Sequence, residues 1–128
     1  MAWEFSNDKP IFQQIIDKMS IDIVSGKYKP GEKLESVREL ALMAGVNPNT
    51  MQRALSELEN TGLIYTKRAS GRYISEDPDM SRAAREKLVR DKALEFIGAM
   101  RELGLDGTQI TEIIGKLILE VNTDGSDI

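Results

Sequence analysis

Apolar side chains at Ile11, Phe12, Ile15, Ile16, Met19, Ile23 and Val24 recur at three- and four-residue spacing, the repeat of a helix with one buried face. Pro10 suits the first helical position, and Gly26 ends the run. Residues 27–34 carry the turn dipeptide Pro30-Gly31. Ser36 and Glu39 follow with the spacing of a capping box, in which each side chain satisfies the other's backbone N–H, so a short second helix is predicted over residues 37–43. Gly45 closes it. Asn47-Pro48 opens a third helix, because Asn caps well and Pro fits the first helical position. Met51, Ala54, Leu55 and Leu58 line one face of that helix until Gly62 stops it. Residues 63–66 alternate and branch like a strand, residues 67–71 form a basic turn, and residues 73–75 read as the return strand.

After Ser75, the stretch Ser75-Glu76-Asp77-Pro78-Asp79 predicts a linker or sharp turn, and it divides the chain into regions 1–75 and 76–128. Beyond it Leu88, Val89, Ala93, Phe96, Ile97, Met100 and Leu103 mark an amphipathic helix of roughly 20 residues. Leu105, Ile110, Ile113, Ile114, Leu117, Ile118 and Val121 mark another, joined to the first by a short glycine-bearing link at 104–108, the pattern of an antiparallel hairpin. A two-helix hairpin cannot cover both stripes by itself. Each large side chain left wet forfeits about 1.5–3 kcal/mol, so a partner surface is expected. The same hairpin from a second chain supplies one by two-fold symmetry, through Leu88, Ala93, Phe96, Ile97, Met100, Ile110, Ile113, Ile114, Leu117 and Ile118. Packing of these helices on their own N-terminal region is the other solution. The expected fold class is α+β, mostly α.

Two helices joined by about four residues containing a glycine have the spacing of a helix-turn-helix, and the hairpin after the third helix makes it a winged one. In such an arrangement the N-terminal turn of the third helix offers unpaired N–H groups to phosphate, while its side chains reach base edges in the major groove. Asn47, Asn49, Thr50, Gln52 and Arg53 occupy that end. Asn and Gln can pair bidentately with adenine, Arg with guanine, and Thr can bond phosphate or touch a thymine methyl.

The chain of 128 residues carries 17 basic and 21 acidic side chains, a net charge of −4, which taken alone leans away from nucleic acid. The distribution reverses that lean. Residues 1–75 hold 10 basic against 9 acidic side chains, whereas residues 76–128 hold 7 against 12. Lys67, Arg68 and Arg72 fall in the predicted wing with no acid between Asn60 and Ser75, a local surplus suited to phosphates or a minor groove.

With neither Cys nor His, a disulfide framework, a zinc site of N/S ligands, a thiol nucleophile and a Ser-His-Asp triad are all excluded. Scattered carboxylates and the lack of a phosphate-cradling loop argue against an enzyme, and no cofactor is expected. The N-terminus Met-Ala-Trp-Glu-Phe has neither a basic start nor an apolar core, and no run approaches the roughly 18 apolar residues of a membrane span. The chain thus reads as cytoplasmic.

Two segments carry a specific likeness: Pro30-Gly-Glu-Lys-Leu-Glu-Ser-Val-Arg-Glu-Leu-Ala41, then Gly45-Val-Asn-Pro-Asn-Thr-Met-Gln-Arg-Ala-Leu-Ser-Glu-Leu-Glu-Asn-Thr-Gly-Leu-Ile64. In register, they resemble the GntR family of bacterial transcription regulators, over about residues 9–74. The resemblance implies a winged helix-turn-helix that binds double-stranded DNA at a palindromic operator as a homodimer. The short C-terminal part is similar to the YtrA-like subfamily, whose members lack a large effector-binding domain and often repress transporter genes. Carried over by position, the family's DNA contacts fall on Arg38, on Asn47, Asn49, Thr50, Gln52 and Arg53, and on Arg68, Ser70 and Gly71 in the wing.

Four positions depart from the family's pattern. Glu35 stands where proline usually precedes Ser36, which puts an acid near the phosphate path. Pro48 and Gln52 stand where many relatives carry Arg, which implies different bases in the operator. Ala69 replaces the first glycine of the Gly-x-Gly wing tip, which alters its shape.

Plainer roles compete at several of these residues. Asn47 is a cap as well as a contact, Arg38 could be a solvated helix residue, Gln52 and Arg53 share one chance of reaching the groove, and Arg53 could instead pair with Glu57 one turn on. The expected function is therefore a homodimeric DNA-binding transcription regulator acting as a repressor. A winged-helix module for protein contact is the alternative. A small-molecule effector could enter between the C-terminal helices, with Met100 and Phe96 as walls.

Overall fold

The computed structural model describes residues 2–123. Its elements are α1 (Ile11–Val24), α2 (Val37–Ala44), α3 (Pro48–Asn60), β1 (Ile64–Lys67), β2 (Gly71–Ile74), α4 (Pro78–Glu102) and α5 (Gly107–Thr123). They divide into two compact units, one ending at Leu88 and one beginning at Val89.

In the first unit, Ile15, Met19 and Ile23 place three buried side chains on successive turns of α1, and they meet Met51, Ala54, Leu55 and Leu58 of α3. Leu40, Ala41 and Ala44 of α2, with Leu34, Leu63, Ile64 and Ile74 from the hairpin side, complete the core. At about 1.5–3 kcal/mol for each large side chain buried, this cluster outweighs every local preference in fixing how the three helices pack.

The helix ends follow the chemistry of their caps. Ser36 Oγ accepts from Glu39 N at 3.1 Å and Glu39 Oε1 accepts from Ser36 N at 3.2 Å, the reciprocal box that starts α2. Gly45 ends α2 in the left-handed conformation (φ 73°), where a side chain would be strained. Asn47 Oδ1 then accepts from Asn49 N at 2.7 Å, with Pro48 in the first turn of α3. The backbone thus reverses between α2 and α3 in only three residues, which fixes the angle of α3 on the core.

β1 and β2 pair antiparallel, with Ile64 opposite Ile74, Tyr65 opposite Tyr73 and Thr66 opposite Arg72. The predicted turn falls at Pro30-Gly31, and the residues after it do more. Lys33 bridges Tyr73, Leu34 N donates to Arg72 O at 2.9 Å, and Ile74 N donates to Glu32 O at 2.9 Å, so this segment borders the outer edge of β2. An edge strand otherwise leaves its backbone groups unpaired, and the chain passing on its way to α2 satisfies them. The N-terminal segment also has a place that its residue types did not reveal. Trp3 N donates to Ala44 O at 3.3 Å, and the Trp3 and Phe5 rings pack against the core.

The acidic stretch expected as a linker shrinks to residues 75–77. Asp77 Oδ1 accepts from Asp79 N at 2.9 Å and Pro78 enters the first turn, so the same residues that break regular structure begin α4. The resulting helix has 25 residues, longer than the apolar stripe alone indicated. Its first turns belong to the N-terminal unit: Ala84 packs on the core, and the Met80 side chain lies against Gly62.

In the second unit α4 ends at Glu102, Gly104 just beyond it is left-handed at φ 92°, and Asp106 and Gln109 cap α5 by bonding each other's backbone N–H at 2.9 Å. The link between the helices is thus residues 103–106, slightly earlier than the pattern suggested. Ile110 is buried, and Ile97, Met100, Leu105, Ile114 and Val121 are half-buried. Leu94, Phe96, Leu103, Ile113, Leu117, Ile118 and Leu119 remain exposed, so the predicted excess of apolar surface is present. No described helix is long and apolar enough to cross a membrane.

Candidate nucleic-acid interface

The buried face of α3 leaves Asn49, Gln52, Arg53 and Ser56 on its outer surface, next to Asn47 at the cap. Thr50 is half-buried at the first turn. The Asn47 side chain is engaged as the cap, which aims the α3 N-terminus and its unpaired N–H groups outward. Gln52 Nε2 donates to Ser56 Oγ at 3.3 Å, a weak exposed bond that a base edge could displace. Arg53 is exposed, and its guanidinium lies 3.7 Å from the centre of the Phe12 ring on α1. That cation–π contact draws Arg53 toward the α1 side of the reading face, and it leaves neutral amides at the middle. Arg38 is exposed on α2, in the first turn.

The wing tip is built for shape. Ala69, where the glycine of a Gly-x-Gly tip would stand, is the one non-glycine among the described residues with positive φ (63°), so the tip keeps a glycine-like bend despite the methyl group. Ser70 N donates to Lys67 O at 3.0 Å to close the turn, and Ser70 Oγ shares a hydrogen bond with Tyr73 Oη. The Tyr65 and Tyr73 rings stack across the strands at 5.9 Å, and Lys67 Nζ sits 4.7 Å over Tyr73. Lys67, Arg68 and Ser70 are exposed, and Gly71 is half-buried beside Lys33.

Arg72 differs from its neighbours. Its Nε donates to Glu59 Oε1 at 2.6 Å, and the side chain keeps only 19% of its surface exposed. The same oxygen accepts from Thr66 Oγ1 at 2.6 Å, so one carboxylate at the end of α3 holds both wing strands. The Thr66 hydroxyl first, and then the Arg72 bond, hold the Glu59 carboxyl below the usual carboxylate range. Glu59 was not among the residues singled out from the sequence. The readable signal was the hairpin register, which sets Thr66 directly opposite Arg72 and so lets a single acid reach both.

Glu35, the acid expected to trouble the phosphate path, accepts from Tyr28 Oη at 2.9 Å. Desolvation first and this carboxylate second push the Tyr28 hydroxyl well above its ordinary range, so it remains a donor to Glu35 at alkaline pH where a free tyrosine ionises.

The reading face and wing thus rest on the frame that the resemblance implied. Residues 11–74 match the model of the bacterial regulatory proteins of the gntR family. The chain is 39% identical over 109 residues to the uncharacterized HTH-type transcriptional regulator YhcF of Bacillus subtilis, covering 85% of this chain and 90% of that protein. It is likewise 39% identical over 118 residues to the HTH-type transcriptional repressor YtrA of the same organism, covering 90% and 86%. A solved GntR family transcriptional regulator from Listeria monocytogenes superposes with a TM-score of 0.79 at 40% identity, over 88% of this chain and 98% of that one. Helix order, winged hairpin and sequence agree across the whole N-terminal unit, and the chain belongs to the GntR family as a helix-turn-helix transcriptional regulator.

Proposed function

We propose that the chain represses transcription in the cytoplasm by occupying an inverted-repeat operator as a homodimer. The observation that carries this reading is the grouping of Asn49 and Gln52, exposed on the outer face of α3, with the basic wing tip of Lys67 and Arg68 on the same unit. A neutral amide face reads bases while flanking cations hold phosphate, the division of labour that specific DNA binding requires. Arg38 joins the phosphate contacts, and Asn47 and Thr50 present the helix end. Ser70 and Gly71 bring the wing backbone close to the duplex. Arg53 serves the flank of this surface beside Phe12.

The exposed residues of the second unit, Ala93, Phe96, Ile113, Leu117 and Ile118 among them, support self-association there, with the more covered Ile97, Met100, Ile110 and Ile114 beside them and Leu88 at the end of the first unit completing the same dimer surface. Two tethered reading heads raise apparent affinity by about 10² to 10⁴ over one.

The test is a duplex recovered from a randomised library by the purified chain, followed by titration of Arg38→Ala and Gln52→Ala. Recovery of an inverted repeat, and loss of binding in the variants with the dimer intact, supports the reading. Equal binding of all duplexes, or unaltered binding by both variants, overturns it in favour of a module for protein contact.

A further inference from the structure

The wing has to meet DNA at a fixed angle to α3, yet it is a two-stranded ribbon, and such ribbons are only marginally stable alone. Its base is held by the short turn at residues 61–63, by the backbone bonds of residues 32–34 to β2 and by Ile64 and Ile74 in the core, whereas the strand positions nearer the tip depend on side-chain contacts to α3. Glu59 supplies such contacts at the last full turn of the helix. Its Oε1 receives Thr66 Oγ1 from β1 and Arg72 Nε from β2, both at 2.6 Å, and these two residues are cross-strand partners. A carboxylate bonded to one strand alone would act as a hinge. Bonded to both, it resists rotation of the ribbon about either strand.

We propose that Glu59 is a positioning residue for DNA binding, and that Arg72 serves this clamp in place of a phosphate. The inference rests on the reading of α3 and the wing as one DNA-binding surface. Charge, burial and geometry agree with it. The Arg72 side chain is four-fifths covered while Lys67 and Arg68 on the same hairpin are exposed, so the three wing cations divide into one that is spent inside the fold and two that face outward. The Glu59 side chain keeps 31% of its surface exposed, which is enough covering to strengthen a charge-assisted bond. The lowered carboxyl of Glu59 keeps the clamp charged to more acid pH than an ordinary glutamate would. Preorganisation of this kind acts by removing the cost of ordering the wing at the moment of binding.

The proposal makes an expectation with an unusual sign. Removing an acid from a DNA-binding surface ordinarily raises affinity, because the field felt by phosphate becomes more positive. Here Glu59→Gln is expected to lower affinity for the library-selected duplex by about tenfold, since the isosteric amide keeps the shape and loses the ion pair. Arg72→Met is expected to lower it equally. The double variant is expected to lose no more than either alone, because both changes break one contact. The exchanged pair, Glu59→Arg with Arg72→Glu, is expected to recover part of the loss.

Three readouts decide it. Amide hydrogen exchange at residues 64–74 of the free protein reports the clamp without any DNA, and it should speed up in Glu59→Gln and Arg72→Met while the α1 and α3 core amides stay protected. Thr66→Val, which removes one arm and leaves the ion pair, should loosen the wing to a smaller degree. The slope of log affinity against log salt should stay unchanged in Arg72→Met, whereas loss of a phosphate contact would reduce it by about 0.9. Equal or tighter binding by Glu59→Gln, or a reduced salt slope in Arg72→Met with normal wing exchange, overturns the proposal. Recovery of no preferred duplex by the unaltered chain, with wing exchange responding as expected, instead overturns the DNA-binding reading and leaves the clamp standing.

Discussion

Substituting Leu117 by Asp tests how the second unit disposes of its apolar surface. Leu117 is 45% exposed, and Phe96, Ile113 and Ile118 on the same unit are exposed to a similar degree. Full burial of a Leu contributes about 1.5–3 kcal/mol, so covering the exposed part of Leu117 contributes about 0.7–1.3 kcal/mol per copy. A two-fold interface uses each surface twice, which brings the contribution to about 1.4–2.6 kcal/mol per dimer. At about 1.4 kcal/mol for each factor of ten, loss of that burial weakens the dimer by about 10- to 100-fold. The carboxylate adds a further cost of about 1 kcal/mol or more where it is desolvated without a partner. Sedimentation equilibrium over a concentration series measures the dissociation constant directly, with far-UV circular dichroism to show that the helices persist. An unchanged dissociation constant in Leu117→Asp, or an unaltered chain that stays monomeric at high micromolar concentration, would refute the reasoning. The same variant is expected to lose operator affinity with its winged unit still folded, since avidity depends on the tether.

Other outcomes follow from particular contacts. Glu59 has a folded carboxyl below its unfolded value of about 4.3, so its stabilisation is present above that pH and is lost as pH falls through the lowered folded value. Thermal melting between pH 6 and 3 should show a steeper acid loss for the unaltered chain than for Glu59→Gln. Tyr28 has the opposite sign: its raised hydroxyl contributes below about pH 10 and the contribution fades as pH rises beyond it, so Tyr28→Phe should flatten the alkaline arm of the melting curve. Ser36→Ala removes one half of the α2 capping box and is expected to cost about 0.5–2 kcal/mol, read as a lower denaturant midpoint with an unchanged slope.

Much of the frame was legible because its causes are local. The α2 and α3 boundaries follow from Ser36, Glu39, Gly45, Asn47 and Pro48, each of which satisfies a backbone group within a few residues of itself. The buried stripes of α1 and α3 follow from helical spacing, and the hairpin from alternation. Less was legible where a residue type permits two roles. Pro78 and Asp77 read as a break, yet the same proline and Asx chemistry starts a helix, whose first turns pack on the N-terminal unit through Met80 and Ala84. Residues 32–34 suggested no element beyond the turn at Pro30-Gly31, because nothing local reveals that an unpaired edge of β2 lies beside them.

By itself the sequence determined the winged helix-turn-helix order, the polar face of α3 and the excess of apolar surface at the C-terminus, because spacing, caps and charge distribution act through near neighbours along the chain. Only the tertiary structure sorted the cations. Arg53 lies over Phe12, 41 positions earlier in the chain, and Lys67 over Tyr73, both still exposed, whereas Arg72 is bonded to Glu59, 13 positions earlier, and is four-fifths covered. Residue type gives each Arg the same charge and reach. Which one meets a phosphate depends on what folding has already set within that reach, and a long side chain takes a partner inside the protein when one stands at bonding distance.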